Sequence, residues 1–327
     1  MEKIKVAVIG AGGKMGTRTS NNLVTKFPDK FDVKLVETFP PAVERIEKER
    51  GLKVTPVDEA LAFADVVIFA GGISPLLEGE SMRVSDPGFK GGDRTEIELP
   101  AIQREVLALL KKNGKKTVFV NFSGSAMAIV PETQSCDAIL QAWYPGQAGG
   151  TAVADVLFGD YNPAGRLPIT FYKSIQQLPD YEDYSMKGRT YRFMTETPLY
   201  PFGYGLSYTR FSYGKATLNQ PKLNKGEKAI LTIPVSNVGQ RDGEEVVQVY
   251  ICRPDDKGGP QKTLRGFQRV NIAKGKTQNV NIELPYDSFE WFDTATNTIR
   301  PLSGTYKILY GNSSNENDLQ TCSIQIQ

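Results

Sequence analysis

Two carboxylates, Glu78 and Glu80, lie in a loop that follows a short apolar stretch, residues 64–70. The stretch is rich in β-branched residues and is followed by glycine, which is typical of a buried strand in a parallel sheet. Open α/β sheets hold their ligands in the loops at the carboxyl ends of such strands. The sequence therefore predicts a strand that delivers a carboxylate-bearing loop to a ligand site.

Histidine is absent from all 327 residues. This excludes any His-dependent triad, His-ligated metal site or imidazole proton shuttle, so acid/base chemistry must use carboxylates, Lys, Tyr or Cys. The cysteines Cys136, Cys252 and Cys322 lie far apart and form no C-x-x-C pair. We therefore predict neither a metal site nor a disulfide framework, and we expect the three cysteines to be small buried apolar residues.

A second pattern that could bind a ligand lies near the start of the chain. Gly10, Gly13 and Gly16 follow an apolar strand over residues 4–9 and open a helix, and Glu37 ends the next strand. In this order, a glycine turn brings backbone N–H groups to a pyrophosphate, and the acidic residue binds a ribose hydroxyl. The segment resembles the opening βαβ unit of NAD(P)-dependent dehydrogenases. Two interpretations remain open, an NAD(P) site and a tight strand-to-helix turn without a ligand.

Several longer runs of the chain carry a more specific signal. They cover residues 71–80, 88–94, 120–125, 141–150, 158–168 and 198–208. These nearly uninterrupted runs resemble the C-terminal α/β sandwich of glycoside hydrolase family 3. The run Leu264-Arg265-Gly266-Phe267 is similar to the fibronectin type III-like domain that ends many enzymes of that family.

The family resemblance implies a retaining β-glycosidase, of the β-glucosidase or β-xylosidase type, with two carboxylates about 5–5.5 Å apart. One carboxylic acid protonates the glycosidic oxygen and, once deprotonated, activates water; no cofactor is required. In this subgroup the acid/base belongs to the loop that here holds Glu78. The resemblance thus implies Glu78 as the acid/base candidate and Glu80 as the runner-up. We expect Asp93 and Arg94 to support the loop by pairing with each other.

The chain departs from the family pattern in its nucleophile. The family uses an aspartate on a (β/α)₈ barrel, whereas residues 1–63 are too few for a barrel and no S-D-W or T-D-W run occurs. We therefore expect the C-terminal part of a family 3 enzyme, inactive alone because the covalent step is lost. Whether this chain is itself an enzyme stays open. The other hypotheses are an NAD(P)-binding oxidoreductase-like protein and a non-catalytic fusion or truncation, joined at about residues 64–70.

The fold class that follows is a doubly wound α/β sandwich and then an all-β, fibronectin type III-like (Ig-like) β-sandwich. Alternation of apolar and polar residues over 229–236, with glycine-containing turns between further short runs, supports the second part. The predicted domains are a Rossmann-like βαβ segment (1–63), the α/β sandwich (64–180, expected to share one sheet with 1–63), an aromatic linker (181–210) and the fibronectin type III-like domain (211–327).

Charge and composition limit the partners. A net charge of +2 without long charged runs gives no basis for binding nucleic acid or a membrane surface. The chain as written has no signal-peptide pattern, so we expect it in the cytoplasm, although family members are often periplasmic or secreted. The expected partner is a β-linked oligosaccharide or aryl glycoside, provided that a barrel domain completes the site. NAD(P) would be a cofactor only under the dehydrogenase hypothesis.

Overall fold

Two units make up the chain, each with its own core. The structure, a computed structural model, describes residues 2–79, 82–91 and 93–327, without the side chains of Lys14 and Met15. The first unit comprises Met1–Tyr161 and Lys173–Ile175, and the second comprises Asn162–Tyr172 and Gln176–Gln327.

A five-stranded parallel sheet forms the centre of the first unit. The strands of this unit are β1 (Ile4–Ile9), β2 (Phe31–Val36), β3 (Val66–Gly72), β4 (Phe89–Lys90), β5 (Asp93–Arg94), β6 (Lys116–Phe122) and β7 (Ala138–Gln141). The sheet has the order β2-β1-β3-β6-β7, and β4 and β5 pair as a separate hairpin. Because the five strands are parallel, the loops after β3, β6 and β7 leave the sheet at the same edge.

The helices of this unit are α1 (Lys14–Lys26), α2 (Pro40–Glu44, continued by a π-helical turn at Arg45–Glu49), α3 (Val57–Phe63), α4 (Pro75–Glu78), α5 (Ala101–Lys112), α6 (Val130–Ser135) and α7 (Gly149–Leu157). Helices α1 and α7 approach each other closely at Gly150. A Cβ atom added to Gly150 would lie 2.2 Å from Cβ of Arg18, so this approach requires glycine.

Helix α5 begins later than its sequence pattern indicates. The pattern predicts an amphipathic helix over residues 96–110, but α5 begins at Ala101, directly after Pro100. A proline disfavours helical geometry in the residue before it, so the preceding segment cannot form the first turn. In that segment Glu98 instead forms an isolated β-bridge with Ala128.

The second unit is a β-sandwich. Its elements are α8 (Thr190–Phe193), β8 (Phe211–Tyr213), β9 (Thr217–Leu218), β10 (Lys222–Leu223), β11 (Lys228–Asn237), β12 (Gly243–Cys252), β13 (Thr263–Ile272), β14 (Thr277–Pro285), β15 (Glu290–Asp293), β16 (Thr298–Pro301), β17 (Gly304–Gly311) and β18 (Gln320–Ile326). One sheet has the order β10-β18-β17-β12-β13 and the other β14-β11-β8, with β9 also on β11. The alternating residues of β11 that were expected to face the core are fully buried: Ala229, Leu231, Ile233 and Val235. The predicted fold class, an α/β sandwich followed by an all-β sandwich, is confirmed.

A buried ion pair lies inside the second unit. Arg166 Nη2 donates to Glu245 Oε1 at 2.9 Å, and the two side chains are 7% and 2% exposed. Burial raises the pKa of Glu245, and the positive charge of Arg166 opposes that rise. Removing one partner of such a pair leaves the other charge buried without compensation, which destabilises the fold strongly.

Replacing Arg166 with methionine is therefore expected to lower the free energy of unfolding of the second unit by about 3–5 kcal/mol. Urea denaturation followed by Trp291 fluorescence measures this in a Trp143→Phe background, because the chain has only these two tryptophans. The double variant Arg166→Met/Glu245→Gln should recover part of the loss. Equal losses in the single and double variants would contradict the ion-pair account.

Candidate active site

The loop after β3 begins with a single helical turn that carries Glu78. Ser74 caps this turn, α4, since its Oγ accepts the backbone N–H of Leu77 at 3.2 Å. Gly79 ends the turn with φ of +58°, a left-handed conformation that favours glycine. Glu78 is thus attached to a short, capped element at the carboxyl end of the central strand.

Two hydroxyl groups hold the carboxylate of Glu78. Tyr144 donates to Oε2 at 2.8 Å, and Ser125 Oγ donates to Oε1 at 3.1 Å. The Tyr144 hydroxyl also lies 3.0 Å from the carbonyl oxygen of Ile73, so its proton is shared between the two acceptors. Burial, the hydrogen bond to Glu78 and the negative charge of Glu78 all raise the pKa of Tyr144. Tyr144 therefore remains a protonated donor at neutral pH.

Arg94 supports this arrangement through Ser125. Its Nη1 donates to Ser125 Oγ at 2.9 Å and to the carbonyl oxygen of Ala126 at 3.2 Å, and its Nε donates to the carbonyl oxygen of Glu96. Burial lowers the pKa of Arg94, and the nearby charge of Glu78 opposes this effect. Since Ser125 Oγ accepts from Arg94, its own proton is free to point at Glu78.

Polar side chains at the ends of β6 and β7 fix the loop that carries Ser125. Asn121 Nδ2 donates to Gln141 Oε1 at 2.7 Å, and Gln141 Nε2 donates to Ser123 Oγ at 3.0 Å. Ser123 Oγ in turn donates to the carbonyl oxygen of Ser125 at 2.9 Å. This chain of hydrogen bonds links two neighbouring strands to one of the two donors that hold Glu78.

The second donor, Tyr144, is positioned by a backbone turn and by a close glycine. Trp143, just before it, has φ of +54°, a left-handed conformation that is rare for a large side chain. A Cβ atom added to Gly124 would lie 2.7 Å from the Tyr144 ring, so a larger residue would displace the ring from Glu78. Ser125 and Tyr144 lie in the runs 120–125 and 141–150 that resemble the family, but the sequence did not predict that they contact Glu78.

Two other residues predicted for this loop, Asp93 and Arg94, form no hydrogen bond or ion pair with the Glu78 carboxylate in the part of the chain that the structure describes. Glu80 lies outside the described residues. Asp93 is exposed in the β4–β5 hairpin and forms no ion pair within residues 2–79, 82–91 and 93–327, so a pairing of Asp93 with Arg94 is not formed. Arg94 supports the loop through hydroxyl and carbonyl oxygens instead.

The glycine turn after β1 forms as the sequence predicts, but Glu37 has local partners. Its Oε2 accepts the backbone N–H of Gly12 at 2.9 Å, and its Oε1 accepts those of Thr38 and Phe39 at 2.9 and 3.0 Å. Both carboxylate oxygens therefore serve the turn itself. A ribose hydroxyl would have to compete with three backbone donors.

Local conformation and close packing account for Gly10 and Gly16 in this turn. Gly10 has φ of +81°, and a Cβ atom on Gly16 would lie 2.0 Å from the carbonyl oxygen of Gly10. Gly13 precedes α1 as its N-cap residue. The turn thus requires glycine at positions 10 and 16 without any bound pyrophosphate, whereas a Cβ atom on Gly13 would make only an ordinary contact, 3.6 Å from the carbonyl oxygen of Gly10.

Replacing Gly16 with alanine is expected to lower the free energy of unfolding of the first unit by about 1–3 kcal/mol, because the new Cβ would collide with the Gly10 carbonyl. Urea denaturation followed by Trp143 fluorescence, in a Trp291→Phe background, measures the loss. Titration of the parent chain with NADH should show no saturable change in nicotinamide fluorescence. Saturable NADH binding that Gly16→Ala abolishes would contradict the packing account.

The contact between Tyr144 and Glu78 predicts a shift in the tyrosine's ionisation. Replacing Glu78 with glutamine should lower the pKa of Tyr144 towards its ordinary value, because the phenolate would no longer face a negative charge. NMR titration of a chain labelled with ¹³C at tyrosine Cζ measures this. Glu105→Gln on an exposed face of α5 is the matched control. An unchanged Tyr144 titration in the Glu78 variant would contradict the contact.

The described residues give no support to a metal site or to a cysteine nucleophile. Among the described residues, no group of His, Cys, Asp or Glu could hold a metal ion. The three cysteines are unpaired and half-buried rather than fully buried, and burial raises the pKa of the Cys136 thiol to about 12, which makes it a poor nucleophile. In the part of the chain that the structure describes, no helix combines the length and apolar character needed to cross a membrane.

Comparison with known proteins identifies the type of domain. The family model for the glycosyl hydrolase family 3 C-terminal domain matches residues 1–208, and that for the fibronectin type III-like domain matches residues 245–314. The chain is similar to a xylan 1,4-beta-xylosidase of Xylanibacter ruminicola, with 51% identity over 315 residues, covering 95% of this chain and 36% of the relative. It is also similar to a periplasmic beta-glucosidase of Salmonella typhimurium, with 33% identity over 298 residues, covering 87% of this chain and 37% of the relative.

A solved structure of a β-glucosidase has the same fold over nearly the whole chain. The β-glucosidase from Erythrobacter marinus superposes with a TM-score of 0.77 at 30% identity, covering 99% of this chain and 46% of that one. The chain thus spans little more than a third of the length of these two curated relatives. The predicted fusion at residues 64–70 is not confirmed, because the family match begins at residue 1 and β1, β2 and β3 share one sheet. An NAD(P)-dehydrogenase-like segment is likewise not confirmed.

Proposed function

We propose, because the chain belongs to glycosyl hydrolase family 3, that it forms the C-terminal part of a retaining β-glycosidase and supplies Glu78 as the acid/base. Glycosidases of this family need no cofactor, in agreement with the main hypothesis from the sequence. In the proposed reaction, the protonated Glu78 carboxyl gives its proton to the glycosidic oxygen as the bond to the leaving group breaks. The Glu78 carboxylate then takes a proton from the water that attacks the glycosyl-enzyme.

The observation that carries this proposal is the way in which Glu78 is held. A general acid/base must keep a defined position while it gains and loses a proton. Tyr144 and Ser125 each offer one hydroxyl to one carboxyl oxygen, at 2.8 and 3.1 Å. A hydroxyl can also accept a hydrogen bond, so Ser125 and Tyr144 can keep the side chain in place in both protonation states.

The nucleophile is the second part of the proposal. Retaining hydrolysis needs a second carboxylate about 5–5.5 Å from the first, and the family resemblance assigns it to an aspartate of a barrel domain. We propose that this chain of 327 residues does not provide this group and is inactive alone. Paired catalytic groups act as a unit, so an isolated acid/base retains little of the catalysis.

The substrate we favour is a β-xyloside, with β-glucosides as the second choice. The relative named a xylan 1,4-beta-xylosidase is 51% identical, whereas the one named a periplasmic beta-glucosidase is 33% identical. Both names describe glycosidases of β-linked sugars. The hypotheses of an NAD(P)-binding oxidoreductase and of a non-catalytic fusion are not favoured, since the family match covers the proposed junction.

A fusion protein tests this function. The chain is joined to the portion of the Xylanibacter ruminicola relative that lies outside the matched region, and hydrolysis of nitrophenyl β-xyloside and β-glucoside is followed. We expect turnover by the fusion, none by the 327-residue chain, and a higher kcat/KM for the xyloside. Glu78→Gln in the fusion should lower kcat by about 10²–10⁴-fold.

Two controls make the result decisive. Glu105→Gln in the fusion removes an exposed carboxylate of α5 and should leave kcat unchanged. Circular dichroism verifies that each fusion is folded. Full activity of a folded Glu78→Gln fusion would contradict the role of Glu78, and turnover by the 327-residue chain that Glu78→Gln abolishes would contradict its inactivity alone.

A further inference from the structure

The second unit contains a groove that the proposed reaction does not use. A cavity of about 440 Å³ lies between α8, the start of β13 and the β15–β16 hairpin. This volume falls in the range of roughly 300–1,000 Å³ that is typical of small-molecule sites. Residues with unpaired donors or apolar faces line it: Arg192, Thr263, Arg265, Phe292 and Ile299.

Arg192 lies over the ring of Phe193, 5.4 Å from the centroid, but its side chain has no hydrogen-bond acceptor among the described residues. Its side chain is half-buried, and it forms no hydrogen bond or ion pair with any residue that the structure describes. Its Nε atom is fully buried. Leaving a donor of this kind without a hydrogen bond costs free energy, so a partly buried arginine without an acceptor at the wall of a cavity indicates a missing acceptor.

Arg265 brings a second positive charge to the same place. Its Nη2 donates to the carbonyl oxygen of Glu290 at 2.7 Å, whereas its buried Nε has no partner among the described residues. Burial lowers the pKa of Arg265, the negative charge of Glu290 opposes that decrease, and the positive charge of Arg192 adds to it. The hydroxyl of Thr263 is also buried and unpaired. Two guanidinium groups that repel each other would be stabilised by a bound anion.

The acidic residues of the groove form no ion pair with either arginine in the part of the chain that the structure describes. Asp256 already accepts hydrogen bonds from Trp291 Nε1 and from the backbone N–H groups of Gly258 and Gly259. Glu290 opposes the pKa decrease of Arg265 by its charge, but it forms no ion pair of 4 Å or less within the described part of the chain. The Nη groups of Arg192 and Nη1 of Arg265, which form no hydrogen bond with a described residue and are not fully buried, therefore remain available to an external carboxylate.

Apolar side chains complete the groove on the hairpin side. Phe292 and Ile299 face each other across β15 and β16, and they are 51% and 67% exposed. An aromatic ring of this kind can pack against the apolar face of a ring-shaped ligand. The groove thus combines a site for an anion with a surface for a flat apolar face.

We propose that this groove binds an acidic sugar, with the carboxylate of a hexuronic acid between Arg192 and Arg265 and the face of its ring against Phe292. The carboxylate follows from the two arginines. The choice of a sugar as the ring-shaped ligand depends on the proposed function, because the substrates of a glycosidase are carbohydrates. The groove would hold the 327-residue chain to carbohydrate that carries uronic acid, without taking part in hydrolysis.

Calorimetric titration of the 327-residue chain with sodium D-glucuronate at low ionic strength tests this proposal, with D-glucose and sodium acetate as comparison ligands. We expect saturable binding of glucuronate that is at least tenfold tighter than binding of either comparison ligand. Arg192→Gln should weaken it by about 10–100-fold, since a charge-assisted hydrogen bond is lost. Phe292→Ala should weaken it several-fold.

Matched variants separate the groove from the rest of the molecule. Arg210→Gln and Phe267→Ala remove an exposed arginine and an exposed phenylalanine elsewhere in the second unit, and both should leave the affinity unchanged. Glu78→Gln should also leave it unchanged, so failure of the proposed hydrolysis would not affect this test. No saturable binding, glucose binding as tightly as glucuronate, or an unchanged affinity in Arg192→Gln would overturn the proposal. Acetate binding as tightly as glucuronate would overturn its sugar component.

Discussion

The hydrogen bond from Tyr144 to Glu78 is the contact on which the candidate active site depends. A glutamate at the end of a single helical turn would otherwise sample many rotamers, since a long polar side chain loses considerable entropy when it is fixed. The phenol can hold it because it is a hydrogen-bond donor at neutral pH, and burial and the charge of Glu78 raise the pKa of Tyr144 still further. Ser125, itself held by Arg94, restrains the other carboxylate oxygen.

The parallel sheet makes this contact possible between distant parts of the chain. Glu78 follows β3, Ser125 follows β6 and Tyr144 comes shortly after β7. Ser125 and Tyr144 are therefore 47 and 66 positions from Glu78 in sequence. Because β3, β6 and β7 are adjacent and parallel, their carboxyl ends meet at one edge of the sheet. The left-handed backbone at Trp143 is a local cost that the surrounding fold must offset.

The strands and turns that depend only on residues close in sequence could be predicted from local sequence patterns. The strand before Glu78, the buried alternation of β11 and the tight turn at Gly10 were all predicted from such patterns. The partners of Glu78 could not be predicted in this way, since their contacts are long-range and depend on strand order. Likewise, nothing in the spacing of Glu37 indicates that three backbone N–H groups occupy it. The sequence pattern places the start of α5 too early, because the helical spacing of apolar residues continues before Pro100, whereas the helix itself begins only after that proline.

The central claim is that Glu78 protonates the leaving group. Its most direct test is the rate of the Glu78→Gln fusion on aryl β-xylosides whose phenols differ in acidity. An acidic phenol leaves without protonation, so the variant should lose little in the glycosylation rate on a dinitrophenyl xyloside but about 10²–10⁴-fold on a phenyl xyloside. An equal loss on all these substrates would contradict the claim, because it would mean that Glu78 does not act on the leaving group.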